Sequence, residues 1–306
     1  MKMRILLKVA LLAVLPLFLL GSSKQAEAGL FKISRADEIR IGKDFYKNFS
    51  KDKKYLDNTK EGARVKLIGQ RLVQKGGLTD YDYVFTLVDD EEVNAFAVPG
   101  GYVFINKGLY DYLAYDEGML AAVLAHEIGH ITERHFKKMY DDITKAQLGI
   151  LIVGAVIGGE KGGKVMEALS VGGNLIFLKY SRDDEEHADA WGVKLAYKAG
   201  YDPYAMSRAL RLFVKLEGVL GKLELFDLLR THPNPSARVE RTQRLAREIS
   251  GRDEWEYHPP RAPEGHPLHE QEVRIIKLDQ TEEKKPEQET TEESSSDSSD
   301  ENKGKG

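Results

Sequence analysis

Apolar positions along this chain recur at two spacings, and the changes between them outline a mixed fold. Ser34–Leu56 and Glu61–Gln74 carry helical patterning. In the second, Val65, Ile68 and Leu72 share one face, and Gly76-Gly77 supplies the stop. Tyr83–Val88 is rich in β-formers, and Asn94–Val98 and Tyr102–Ile105 flank Pro99-Gly100-Gly101 as a hairpin would. Asp116 suits an N-cap, and a long helix is predicted from there to about Tyr140, with Leu120, Val123, Leu124, Ile128 and Ile131 as its apolar stripe. A polar helix follows over Ser181–Ala199, then helices around Pro203–Gly218 and after Pro235. Arg252–Pro267 reads as irregular, and no solenoid-length repeat is present. The pattern predicts an α+β fold, predominantly helical, with a small antiparallel sheet beside the longest helix.

Two Gly-rich apolar segments, 148–159 and 165–178, interrupt this order. Each is too short to cross a bilayer, which takes about 20 residues. Buried helices covering a cleft and peripheral contact with a membrane both remain open for them.

The two ends differ from the middle. Lys2, Arg4 and Lys8 precede an apolar run, Val9–Leu20, and a polar stretch ends in Ala26-Glu27-Ala28. That order is the pattern of an export signal, so cleavage after Ala28 and a periplasmic location are expected. Residues 281–306 are acidic and nearly free of apolar side chains, and a disordered tail is expected there. A single domain is expected over 29–280, with its core at about 35–250.

Charge and composition narrow the function classes. The chain holds 45 Lys+Arg and 49 Asp+Glu, a net charge of −4. Setting the basic start and acidic end aside leaves a nearly neutral body, which argues against a nucleic-acid partner. Without cysteine there is no disulfide scaffold, no thiol nucleophile and no thiolate metal site.

Inside the long helix stands His126-Glu127-Ile128-Gly129-His130. Four residues make just over one helical turn, so both imidazoles project from one face and can share a metal ion. Glu127 lies beside that ion without pointing at it, as a base for a metal-bound water requires. The longer pattern with a third histidine fails, because Glu133 and Phe136 occupy the positions it needs. His135, five residues past His130 on a continuous helix, is rotated away. Glu185 and Asp189, spaced i and i+4, share a face of the polar helix. A Glu185 ligand would complete a His₂Glu zinc site, and Asp189 could orient a ligating histidine through its outer N–H.

These segments resemble the HtpX/BepA-type zinc metallopeptidases, relatives of the CAAX prenyl endopeptidases. The resemblance rests on Asn94–Gly101, Ala122–His130, Ser181–Asp189 and Thr231–Arg238, in that order. It spans about residues 35–245 and implies a zincin-like domain. It also implies one Zn2+ per chain held by His126, His130 and Glu185, Glu127 as general base, and Asp189 as the carboxylate behind the ligands. His232 and Arg238 become candidates for stabilising the oxyanion, with His232 equally a candidate for occupying the metal's open position and holding the enzyme latent. Asn94, Ala95, Phe96 and Ala97 form a candidate edge strand for an extended substrate. Membrane-spanning helices occur in HtpX and the prenyl endopeptidases and a C-terminal helical-repeat module in BepA-like members, so the likeness is nearest to compact periplasmic members. The expected function is a zinc endopeptidase acting on unfolded or misassembled envelope proteins. The alternative is an envelope-assembly chaperone or peptide-binding protein on the same scaffold.

Overall fold

The computed structural model describes residues 33–142, 180–220, 228, 231–258 and 260–266. The export signal, the acidic tail and both Gly-rich apolar segments lie outside these residues. Among the described residues, no helix is long and apolar enough to cross a membrane.

Helix α1 (Arg35–Asp52) begins with a reciprocal cap. The Ser34 hydroxyl accepts the Asp37 N–H at 3.2 Å, and the Asp37 carboxylate accepts the Ser34 N–H at 3.1 Å. Helix α2 (Lys60–Gly76) starts on the Thr59 hydroxyl and stops at Gly77, whose φ of 70° is left-handed. Val65, Ile68 and Leu72 are buried along its inner face, as their spacing predicts.

Strands β1 (Val84–Val88), β2 (Ala95–Val98) and β3 (Tyr102–Asn106) form one sheet in the order β1-β3-β2. The hairpin is present, with Phe96 opposite Phe104 in an antiparallel pair. The sheet as a whole is mixed, however, because β1 pairs parallel to β3, Val84 beside Tyr102. The chain leaves β1, passes over one strand position and forms β2. Strand β3 then fills the gap, antiparallel to β2 and hence parallel to β1.

Alternation along the strands divides the apolar residues between two faces. Phe85, Leu87, Ala95, Val103 and Ile105 join the main core. Val88, Phe96, Val98 and Phe104 meet Phe45, Tyr46 and Phe49 of α1 on the other side. The rings of Phe96 and Phe104 stack at 4.9 Å, an arrangement contributing about 0.5–1.5 kcal/mol beyond burial. Helix α1 approaches so closely that a Cβ on Gly42 would stand 1.9 Å from the Pro99 carbonyl oxygen.

A short helix, α3 (Lys107–Leu113), leads into α4 (Glu117–Thr132). The Asp116 side chain accepts the Met119 N–H, and Arg208 holds the same carboxylate at 2.8 Å. Every residue from Met119 to Ile131 is buried, so α4 is central rather than one-sided. It packs against the sheet, α2, α5 (Arg182–Lys198) and α6 (Ala205–Leu220). Helix α7 (Pro235–Ser250) closes over α5 and α6. Gly129 permits the crossing of α4 and α5, since a Cβ there would lie 2.7 Å from Trp191 Cβ.

The long helix does not run unbroken to Tyr140. It ends at Thr132, turns at Glu133-Arg134, and helical structure resumes over residues 135–142. Arg134 has φ 55°, a conformation costing a non-glycine residue about 1–2 kcal/mol. Its guanidinium is fixed by the buried Glu38 carboxylate at 3.0 and 2.6 Å, to which Tyr81 also donates. A partner on α1 therefore decides where the helix breaks.

Candidate functional site

Three elements bring the predicted residues together. Helix α4 carries His126, Glu127 and His130, α5 carries Glu185 and Asp189, and His232 and Arg238 come from the start of the α7 region. All seven are buried. The α5 end of the site is set by another reciprocal cap, Ser181 with Asp184, which fixes the turn that presents Glu185.

Donor atoms of His126, His130, Glu185 and His232 all lie within 4.8 Å of one another, a grouping that could hold a metal ion. The spacing among the first three tests the fit. His126 Nε2 is 3.1 Å from His130 Nε2 and 3.8 Å from Glu185 Oε2, and His130 Nε2 is 3.5 Å from Glu185 Oε1. Tetrahedral ligands at about 2.1 Å from zinc stand about 3.4 Å apart, and these three contacts, made through the two different oxygens of Glu185, bracket that distance. His232 Nδ1 lies 3.4 Å from His126 Nε2 and 3.0 Å from Glu185 Oε1, among the same donors. Buried Glu127 Oε2 and His232 Nε2 have no hydrogen-bond partner, which suits atoms that face a reacting molecule rather than the core.

Electrostatics favour the same use. Burial, reinforced by the neighbouring imidazoles, pushes His130 well below its ordinary pKa, so its ring is neutral and can offer a lone pair. Burial raises Glu127, against the pull of His232 and His126. Burial opposes ionisation of Glu185 and Asp189 as well, but there the neighbouring charges and hydrogen bonds win. His232 and Arg238 hold Glu185 below the usual carboxylate range, and Arg238 and His126 hold Asp189 far below it.

Asp189 Oδ1 lies 3.2 Å from His126 Nδ1, on the side of the ring away from the donor cluster. Arg238 engages carboxylates with all three guanidinium nitrogens. Nε and Nη2 donate to Asp189 at 2.8 and 2.6 Å, and Nη1 stands 2.5 Å from Glu185 Oε2. It thereby clamps α5 to α7 and touches an oxygen of the donor Glu185 itself. In the candidate substrate strand, Ala95, Phe96 and Ala97 lie in β2, at the edge of the sheet, and Asn94 precedes it.

Two neighbours escaped the sequence pattern. His135 turns back after the break at Arg134, and its Nδ1 stands 2.9 Å from His130 Nδ1. The expectation that it rotates away assumed a continuous helix and is overturned. Asp184, itself paired with Lys138 at 2.8 Å, stands 3.7 Å from His135 Nε2. Tyr180 stacks on His130 with ring centroids 3.9 Å apart. Its only sequence signal is its place just before Ser181.

Comparison with known proteins agrees with this geometry. The family model for Peptidase family M48 matches residues 59–246. The beta-barrel assembly-enhancing protease of Escherichia coli (strain K12) is 24% identical over 224 residues, 71% of this chain and 45% of the relative. Its namesake in Yersinia pestis is 27% identical, covering 60% of this chain and 39% of the relative. The mitochondrial metalloendopeptidase OMA1 of Schizosaccharomyces pombe is 30% identical over 57% of this chain and 50% of its own length. The chain thus spans half or less of the length of these relatives. With the family model covering more than half of its residues and the helical His-Glu pair meeting the α5 carboxylate, the chain belongs to peptidase family M48.

Proposed function

We propose that this protein is a zinc-dependent endopeptidase that hydrolyses unfolded or misassembled proteins of the cell envelope, acting in the periplasm after removal of residues 1–28. The observation that carries the activity is the approach of His126, His130 and Glu185 to 3.1–3.8 Å of one another, with Glu127 beside them and its Oε2 free of any hydrogen bond. The names of the beta-barrel assembly-enhancing relatives support the envelope assignment.

When bound, zinc would supply Lewis acidity, bringing the pKa of a water towards about 7 and polarising a peptide carbonyl. His126, His130 and Glu185 would hold it. Glu127 takes the proton of the attacking water and returns it to the leaving amine nitrogen. Burial raises its pKa, which favours accepting that proton. Arg238 keeps Glu185 and Asp189 ionised, and Asp189 orients His126. An extended substrate would align beside β2, read through its backbone.

His232 admits two roles on the same geometry. Its Nδ1 among the donor atoms supports a latent arrangement, and its unpartnered Nε2, 3.6 Å from Glu127 Oε1, supports donation to the oxyanion.

Metal analysis of the purified chain from residue 29, paired with digestion of casein, tests the reading. One zinc per chain and cleavage are expected, and Glu127→Gln should keep the zinc while losing cleavage by about 10²–10⁴-fold. A variant that cleaves at the parental rate would overturn the mechanism. One that is inactive in digestion yet fully restores function in cells would point to the chaperone alternative.

A further inference from the structure

A cavity of about 290 Å³ opens beside the candidate active site. Its inner end is formed by His232 and Tyr180, which belong to the site itself. Phe96 and Val98 of β2 and Phe136 supply apolar walls. The outer wall is α1, through Ile41 and Phe45, with Asp44 and Asn48 also lining it.

That outer wall lies entirely before residues 59–246, the stretch that matches the family. It is nonetheless firmly placed. Gly42 rests against the Pro99 carbonyl, Phe45 meets Phe96 edge-on at 6.2 Å, and Glu38 is tied to Arg134 and Tyr81. A wall so anchored is preorganised, and filling the space beside it costs little reordering.

We propose that this cavity is a specificity subsite, built by α1, that receives one bulky apolar side chain of the substrate next to the cleaved bond. Three features set the occupant. The volume sits at the lower bound for ligand pockets, about 300 Å³, so it suits a single large side chain rather than a folded surface. The walls are mainly aromatic and aliphatic, with Asp44 and Asn48 on the α1 side, which favours Phe, Tyr, Leu or Met. And β2, at the sheet edge, supplies both cavity walls and the strand beside which a substrate would lie, so a side chain of that substrate can turn inward while its backbone stays aligned. The preference would direct the enzyme to segments that are buried in folded proteins and exposed only in unfolded ones.

This inference rests on the endopeptidase reading, so its test uses binding as well as cleavage. Two extended peptides of about ten residues, identical except for Phe or Ala at the central position, are titrated into zinc-loaded Glu127→Gln protein and followed by fluorescence anisotropy. The Phe peptide should bind about tenfold tighter or more, the scale set by burying an aromatic side chain. Ile41 is only half-buried, so changing it spares the core. In the same background, Ile41→Trp should fill the cavity and abolish the preference, and Ile41→Ala should preserve it and admit a Trp peptide. Equal binding of the two peptides, or a Phe preference unmoved by Ile41→Trp, would overturn the subsite even if the parent protein cleaves casein. A Phe preference that disappears in Ile41→Trp, in a protein whose parent form cleaves nothing, would uphold the subsite and sink the endopeptidase reading instead.

Discussion

Arg238 offers the sharpest test of how the site is held together. It is 5% exposed and faces two buried carboxylates, Asp189 through two hydrogen bonds and Glu185 through Nη1. Arg238→Met keeps the length and the apolar stem and removes the cation. Breaking a buried ion pair from one side costs about 3–5 kcal/mol, because the remaining charge stays desolvated. Two carboxylates are stranded here, but neither is left entirely alone. Arg241 Nη2 stands 3.2 Å from Asp189, and His232 stands 3.0 Å from Glu185, so the single-pair figure is the appropriate scale. In a domain of this size each kcal/mol moves Tm by about 2–4 °C, giving a fall of about 6–20 °C for the metal-free protein. Adding zinc should recover part of the loss, since a cation at Glu185 replaces one of the two interactions that Arg238 made. Differential scanning calorimetry with and without chelator measures both quantities. A metal-free variant melting within about 2 °C of the parent would refute the reasoning, for it would mean that the carboxylates are protonated or reached by water.

Other consequences can be checked independently. His232→Ala should raise casein cleavage if the ring holds the enzyme latent and lower it by about 10²-fold if it donates to the oxyanion, so the sign of the change in kcat separates the roles. His135→Ala removes the outer partner of His130 and should weaken zinc binding by about 10–100-fold in competition with a chromophoric chelator; unchanged affinity would show that the 2.9 Å contact is incidental. Gly42→Ala forces a Cβ against the Pro99 carbonyl and should cost about 1–3 kcal/mol in urea denaturation, with neutrality arguing that α1 is loosely held. Asp184 is held below the usual carboxylate range, because Lys138 and Ser181 outweigh its burial. Its contribution to stability is therefore complete above the unfolded value of about 3.9 and lost as pH falls through the lower folded value. Asp184→Asn should flatten that part of the acid limb of Tm against pH, and an unchanged limb would count against the assignment.

What the sequence disclosed, and what it concealed, divides by the range of the forces involved. His126 and His130 were legible because helical periodicity alone puts them on one face, and Glu185 and Asp189 were legible for the same reason. The hairpin was legible because Pro99-Gly100-Gly101 is local turn chemistry, with φ of 85° and 99° at the two glycines. The parallel pairing of β1 with β3 was not, since it depends on which strand fills a gap rather than on any residue's own preference. Thr132-Glu133-Arg134-His135 likewise reads as helix, and it is Glu38, 96 residues from Arg134, helped by the Ile33 carbonyl, that holds the left-handed turn that ends it. The break then has a chemical consequence, for it swings His135 from the outside of a helix to the back of His130. Spacing rules are trustworthy inside an element and fail at an end that a distant side chain controls. Because that side chain lies on α1, before the residues that match the family, the helix that walls the cavity also reaches the donor cluster through Arg134. The proposed substrate selection and the geometry behind His130 thus share one support, so changes at Glu38 should perturb both and changes at Ile41 only the first.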